Sequence, residues 1–312
     1  MKESIDAVEN AFRELALGTA VMPTRLSVSL PVNEGWLGVM PAFLTHAKSL
    51  TTKIVTVYPN NTTQHDLPNV LALIILNDVE TGQVEAVMEG AYITAIRTGA
   101  VAGVATKHLA RKNATNLGIF GCGVQARTQL EAVCQVRDIS TVRVYDSDRD
   151  RMRSFLSKSS TKMNITPADN PQEVVRGSDI IVTATTSATP VFNGLDVKPG
   201  THINAIGAFT PDTRELDDQT ISKAKIVVDS LAAALEEAGD IVIPVSRGII
   251  RREDIWAELG EITSGSKPGR TSDDELTVFK SVGLGIQDAA VARLVFEKAR
   301  VEHVGTEATL SD

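Results

Sequence analysis

Apolar positions along the chain follow two periodicities, and the change between them divides it. Residues 3–17 place apolar side chains at helical spacing, as in Asp6-Ala7-Val8-Glu9-Asn10-Ala11-Phe12, and the pattern stops at Gly18. Short extended runs then follow one another: Arg25–Leu30, Trp36–Met40, Ser49–Tyr58, Val70–Leu76 and Val84–Glu89. The breaks between them are the turn Asn33-Glu34-Gly35, a polar loop at Asn60–Asp66 and the turn Asp78–Gly82, which is hairpin-like sequence. Ala91–Leu109 is rich in Ala and Gly and predicts a helix packed closely on a neighbour.

Beyond Arg111-Lys112-Asn113 short buried strands alternate with helices. Strands are predicted at Asn116–Phe120, Thr141–Tyr145, Ile180–Ala184, His202–Ile206 and Ile226–Asp229. Helices are predicted over Arg127–Val136, Asp148–Ser157 and from Pro171 to Arg176. This alternation is that of a doubly wound parallel sheet, a Rossmann fold. Thr277–Lys280 is strand-like, and a long Ala/Val-rich helix follows Gly283. The expected organisation is an α+β domain at 1–112, joined by 283–312, and a Rossmann domain at 113–282.

Composition narrows the class. With 312 residues, 43% hydrophobic and 22% charged, the chain can fill about two ordinary globular cores. Aromatics make up only 4%, so aliphatic packing dominates, as buried parallel strands require. A formal net charge of −8 argues against nucleic acid or an anionic membrane as partner. No apolar run is long enough to span a bilayer. The N-terminus reads directly into the first helix and not into a signal peptide. Cys122 and Cys134 form no CxxC pair, and two reduced thiols suit a cytoplasmic protein. The five histidines show no metal spacing, so no metal site is expected.

The strongest single motif is Gly121-Cys122-Gly123-Val124-Gln125-Ala126 between a predicted strand and a predicted helix. Gly121 permits a tight turn, Gly123 lets a pyrophosphate approach the backbone, and Ala126 allows close helix–strand packing. The helix start around Val124 and Gln125 favours the phosphates' charge. Asp146 ends the second strand, where an acid receives the adenosine ribose hydroxyls, which favours NAD(H). The alternative for Asp146 is an N-cap for the following helix. Arg149 lies close enough to bind a 2′-phosphate, so NADP(H) stays open. Ala184, Thr185 and Thr186 after the third strand, and Ile206 and Gly207 at the end of the fourth, leave room for the nicotinamide half.

Arg25, Lys53 and Arg97 are basic residues set in apolar sequence. Lys53 lies mid-strand, so it either points to solvent or is buried facing an anion. Together with Gly38-Val39-Met40-Pro41-Ala42, Leu50-Thr51-Thr52-Lys53, Ile93–Ala100, Gly121–Ala126, His202–Ala208 and Ala257–Ile262, they carry a resemblance. Over nearly its whole length the chain resembles the ornithine cyclodeaminase/mu-crystallin family, and its motifs are most similar to the ketimine reductase members. Typical members start some fifteen residues earlier, so this chain looks trimmed.

The resemblance implies a homodimer whose first domain binds substrate and pairs across the two-fold axis. It implies that Arg25, Lys53 and Arg97 hold the carboxylate of a small amino or imino acid, with Lys53 also relaying a proton. It places Thr98 and Ser281 at the cofactor and Glu237 near the substrate; a helix N-cap is the alternative for Ser281 and a solvated surface position for Glu237. Cyclodeaminases carry an aspartate where Phe209 stands here, and both they and the alanine dehydrogenase carry a charged residue at the place of Gly38. The implied activity is NAD(P)H-dependent reduction of a cyclic ketimine acid, such as 1-pyrroline-2-carboxylate or 1-piperideine-2-carboxylate, with Phe209 as an apolar wall. Ornithine cyclodeaminase, alanine dehydrogenase and a non-catalytic carrier that keeps the cofactor are the competing readings.

Overall fold

A computed structural model describes residues 1–158 and 164–309. Along the chain α1 (Lys2–Ala16) precedes β1 (Ala20–Val21), β2 (Leu26–Leu30), β3 (Gly35–Leu44) and β4 (Ser49–Val57). Next come α2 (Asn61–Gln64), β5 (Val70–Asn77), β6 (Val84–Glu89) and α3 (Gly90–Leu109). The alternating half holds β7 (Asn116–Phe120), α4 (Val124–Val136), β8 (Thr141–Tyr145), α5 (Arg149–Lys158), β9 (Asn164–Pro167) and α6 (Pro171–Gly177). It continues through β10 (Ile180–Thr183), β11 (His202–Ala205), α7 (Asp218–Lys223), β12 (Lys225–Val228), α8 (Leu231–Glu237) and α9 (Gly239–Ser246). The chain closes with β13 (Ile255–Glu258), α10 (Leu259–Thr263), β14 (Thr277–Lys280) and α11 (Gly285–Glu302).

The backbone forms two compact units, Met1–Leu17 with Ala95–Leu284, and Gly18–Thr94 with Gly285–Asp312. This division differs from the one expected from the sequence, because α1 and most of α3 pack with the parallel sheet's unit. A Cβ on Gly260 of α10 would lie 2.8 Å from the Phe12 carbonyl of α1, and one on Gly99 of α3 would lie 2.5 Å from the Thr128 carbonyl of α4. Those helices approach backbone to backbone, which only glycine permits.

In the larger unit eight strands run parallel in the order β13-β12-β14-β11-β10-β7-β8-β9. The first strand, β7, lies between β8 and β10, so the chain reverses its direction of winding there. In such sheets ligands bind beyond the carboxyl ends of the strands at this switch point. The edge strands β9 and β13 escape the hydrophobic pattern because they are short and only partly buried. Ile181, Ile203, Val228 and Val278 fill the core on one side, and Leu117, Ile119, Val144 and Ala126 on the other.

The smaller unit is a six-stranded antiparallel sheet, β1-β3-β4-β5-β6 with β2 also on β3. The loop expected at Asn60–Asp66 forms one helical turn, α2, with Asn61 donating its amide to the Pro68 carbonyl. One sheet face, carrying Met40, Ala42, Thr51, Lys53, Ile74 and Leu76, is buried, and α11 packs on β3, β4 and β5. The other face carries the exposed side chains Leu26, Val28, Leu71, Leu73 and Val87. Register places Leu26 beside Val39, Ile54 and Leu73 in one apolar row across four strands.

Candidate active site

The glycine loop forms at the end of β7. Gly121 has φ +90°, and a Cβ there would run into the Ala184 carbonyl, so the turn requires glycine. Nothing lies within 4 Å of a Cβ on Gly123, which leaves open space above the start of α4. The helix begins at Val124, three residues before the position the pattern suggests, and no side chain caps it. Its first N–H groups therefore point at that space. The Gln125 Oε1 atom is buried there without a hydrogen-bond partner, and Val124 is exposed. Ala126 is fully buried against the strands, as close packing requires. Burial, aided by the Asp146 charge, pushes the Cys122 thiol up to about 12, so it stays protonated and unreactive.

Asp146 follows β8 and is almost buried. Its carboxylate accepts the Cys122 N–H at 2.8 Å and the Asp148 N–H at 2.9 Å, which fixes it beside the glycine loop. The N-cap alternative belongs to Asp148 instead, which accepts the Asp150 and Arg151 N–H groups at the start of α5. Arg149 is largely exposed and pairs with Asp169 at 3.4 Å.

The strand-end loops beyond β10 and β11 are joined by a residue that the motifs did not reveal. Glu215 is wholly buried and accepts four hydrogen bonds. These come from the Thr183 hydroxyl at 2.7 Å, the Thr185 N–H at 2.7 Å, the Thr185 hydroxyl at 2.8 Å and the Gly207 N–H at 2.7 Å. Burial, with the Asp240 charge, pushes its carboxyl up, while Lys280, the Thr183 hydroxyl and the Thr185 N–H pull it back. Behind it Asp240 accepts the Glu215 and Leu216 N–H groups and pairs with the buried Lys280 at 2.8 Å. Ala184 and Thr185 are half-buried and Thr186 is exposed, and Ile206 lies at the edge of the core.

Phe209 follows in the same loop as Gly207 and is 45% exposed, an apolar ring at a strand end with no core around it. The Gly239 N–H donates to the Thr210 carbonyl, which ties this loop to the end of α8, where half-buried Glu237 sits. At the end of β14 the Ser281 hydroxyl donates to Asp229 at 2.8 Å, as do the Val282 and Gly283 N–H groups. Ser281 is thus no helix cap, since α11 starts four residues later. Gly283 has φ +85°, and a Cβ there would clash with the guanidinium of Arg97, which is itself buried. Beside Arg97, Thr98 is buried, and its carbonyl accepts the Gln129 amide.

Arg25 and Lys53 belong to the smaller unit. Lys53 is 1% exposed, which removes the solvent-facing alternative. Its strand neighbours are Met40 and Ile74, and its ammonium meets the Asp288 carboxylate of α11 at 2.7 Å, with Asp288 equally buried. Arg25 immediately precedes Leu26, the first residue of β2, which pairs with Val39. On β3 the Trp36 ring fills the space that a side chain on Gly38 would need. Among the described residues no cluster of His, Cys, Asp or Glu could hold a metal ion, and no helix is long and apolar enough to cross a membrane.

A switch-point glycine loop, an acid fixed at the second strand end and an antiparallel sheet with a buried lysine define a two-unit, Rossmann-type nucleotide-dependent enzyme class. Within it the chain belongs to the ornithine cyclodeaminase/mu-crystallin family, whose model matches residues 1–303. It is similar to the solved structure of Thermococcus litoralis Delta(1)-pyrroline-2-carboxylate reductase in complex with NADH and L-proline. That match has a TM-score of 0.96 and 47% identity, covering 99% of this chain and 96% of the other. An alanine dehydrogenase of Archaeoglobus fulgidus is 46% identical over 98% of this chain and 93% of its own length. A Delta(1)-pyrroline-2-carboxylate reductase of Bacillus cereus is 42% identical over 98% and 94%.

Proposed function

We propose that this protein is an oxidoreductase that uses NAD(P)H to reduce a cyclic ketimine acid, such as 1-pyrroline-2-carboxylate, to the cyclic L-amino acid. The observation that carries the choice of chemistry is Phe209. At the end of β11 it offers an exposed apolar ring and no carboxylate, which suits a wall for a small ring and not a base for a distal amine. The cofactor residues fit a dinucleotide: Gly123 leaves space at an uncapped helix start, Gln125 has an orphaned buried oxygen, and Gly121 needs its positive φ. The bound nicotinamide supplies the hydride delivered to C2 of the imine.

The chain's own residues do the rest. Asp146, held by two N–H groups, keeps lone pairs for ribose hydroxyls and repels a 2′-phosphate, which supports NADH as the preferred form. Arg149, exposed and within reach of Asp169, is the residue through which NADPH use stays open. Thr98, Ala184, Thr185, Thr186, Ile206, Gly207 and Ser281 are assigned to the cofactor. Arg25 and Arg97 are assigned to the substrate carboxylate, because guanidinium groups fix a carboxylate in a plane. Lys53 adds charge there and gives a proton to the imine nitrogen, and Glu237 lies near the substrate. Fixing the carboxylate orients C2 for attack, which converts binding energy into rate.

A homodimer is supported by the apolar row Leu26, Val39, Ile54 and Leu73, in which Leu26 and Leu73 are exposed and the other two half-buried, since an apolar sheet face of that extent marks an interaction surface. The two free thiols support a cytoplasmic setting. Oxidative deamination of alanine is the second reading, favoured by the 46% identity to the A. fulgidus enzyme. Incubation with NADH and 1-pyrroline-2-carboxylate, followed by chiral chromatography, tests the assignment: L-proline supports it, and NADH left unoxidised while pyruvate and ammonia yield L-alanine overturns it.

A further inference from the structure

The strand neighbours of Lys53 are both apolar. Met40 on β3 and Ile74 on β5 flank it, and both are buried. An isolated ammonium in such a place would give up its proton, because burial disfavours the charged form. The charge is met from above by Asp288, 2.7 Å away and 1% exposed. Asp288 stands in the first turn of α11, where the helix dipole favours an anion. That turn is seated tightly: a Cβ on Gly285 would lie 3.3 Å from both the Ala42 side chain and the Pro41 carbonyl. The helix start thus delivers a fixed negative charge to the centre of the buried sheet face.

We propose that Asp288 is a positioning residue for Lys53: it keeps the ammonium protonated and aimed, so that Lys53 serves as the proton donor in the reduction and resists acting as the base in the reverse direction. The inference rests on the reductase reading. In the forward step a proton leaves the Lys53 ammonium for the imine nitrogen. With the hydride that bound NADH would supply to C2, the C=N π pair would become the nitrogen lone pair. Lys53 is left as a neutral amine beside the Asp288 carboxylate, and that pairing favours its recharging with a proton from solvent. Oxidation of the cyclic amino acid needs Lys53 to begin neutral, a state Asp288 disfavours, so the reverse reaction requires alkaline pH.

Two measurements on the full-length enzyme test this. In the first, pH profiles of kcat for imine reduction are compared for the wild type, Asp288→Asn and Asp288→Glu. The Asn variant should lose about tenfold or more in kcat near neutral pH, with KM for the imine changed far less. Its alkaline limb should move down by about one pH unit or more, the size of shift that an adjacent opposite charge produces. Asp288→Glu should restore part of both effects, and NADH affinity, read by fluorescence, should stay unchanged in both variants. The second measurement needs no turnover: NMR titration of lysines labelled at the ε-carbon should show Lys53 losing its proton about one unit or more lower in Asp288→Asn. An unmoved Lys53 titration overturns the proposal whatever the activity. A shifted titration in an enzyme that reduces no cyclic imine upholds the pairing and overturns the reductase reading instead.

Discussion

Replacing Glu215 by Gln removes one charge and almost no volume, so its effect isolates what the carboxylate does. The two oxygens take four donors, two of them backbone N–H groups on different strand-end loops, Thr185 and Gly207. A Gln side chain has one acceptor oxygen and one amide nitrogen. Whichever way it turns, one of those backbone N–H groups faces another donor in a fully buried site. A buried donor left unsatisfied costs about 1–3 kcal/mol, and the remaining bonds weaken from charge-assisted to neutral. Relief of the burial penalty on the charge offsets part of this, while the attraction of Lys280 is lost, which leaves a net loss of about 3 kcal/mol. For a unit of this size that lowers the melting temperature by about 6–12 °C. The loops so loosened are those assigned to the nicotinamide half, so NADH affinity should also fall, by about tenfold. Calorimetry and fluorescence titration read the two effects separately. A variant that melts within about 2 °C of the wild type and binds NADH equally well would refute the role given to Glu215.

Other residues give shorter tests. Asp146→Ser should reverse or erase the preference for NADH over NADPH, read as the ratio of kcat/KM values; an unchanged ratio would remove Asp146 from cofactor choice. His202 is wholly buried, and burial, with Arg270 nearby, lowers it to about 3. The folded protein therefore stays neutral there while the unfolded chain takes up a proton below about 6.5. His202 thus costs the native state progressively as pH falls from about 6.5 to 3, by several kcal/mol in all. In His202→Gln the fall in unfolding free energy over that range should be visibly flatter. On the exposed sheet face, Leu73→Glu should shift a dimer towards monomer in analytical ultracentrifugation, and a variant that sediments like the wild type would place the interface elsewhere.

The Rossmann half was legible in the sequence because its signals are local. Gly121, Gly123 and Ala126 sit at fixed spacing between a strand and a helix, β7, β10 and β12 are rich in buried aliphatic residues, and β8 and β11 each carry two, Val142 with Val144 and Ile203 with Ala205. Lys53 was conspicuous as a charge inside a β-branched run, although alternation alone left its direction open. The rest depends on partners distant in sequence. Asp288 looks like any acid in the first turn of a helix until the fold brings it to Lys53, 235 positions earlier. Glu215 lies in a polar stretch whose importance comes from two loops on other strands. Helix α1 is amphipathic in any reading, but nothing in its pattern says that Phe12 will meet Gly260. The strand β13 ends in a capping box at Glu258 and carries an exposed Trp256, so its pattern resembles a loop more than a strand.

Purified protein should be given NADH with 1-pyrroline-2-carboxylate, with 1-piperideine-2-carboxylate and with pyruvate plus ammonia, and kcat/KM compared by the loss of nicotinamide absorbance, alongside ammonia release from L-ornithine with NAD+. At least one cyclic imine should show a kcat/KM about a hundredfold above that for pyruvate, and ornithine should release no ammonia. Faster turnover of pyruvate than of either imine, or ammonia and proline formed from ornithine, would contradict the reductase reading.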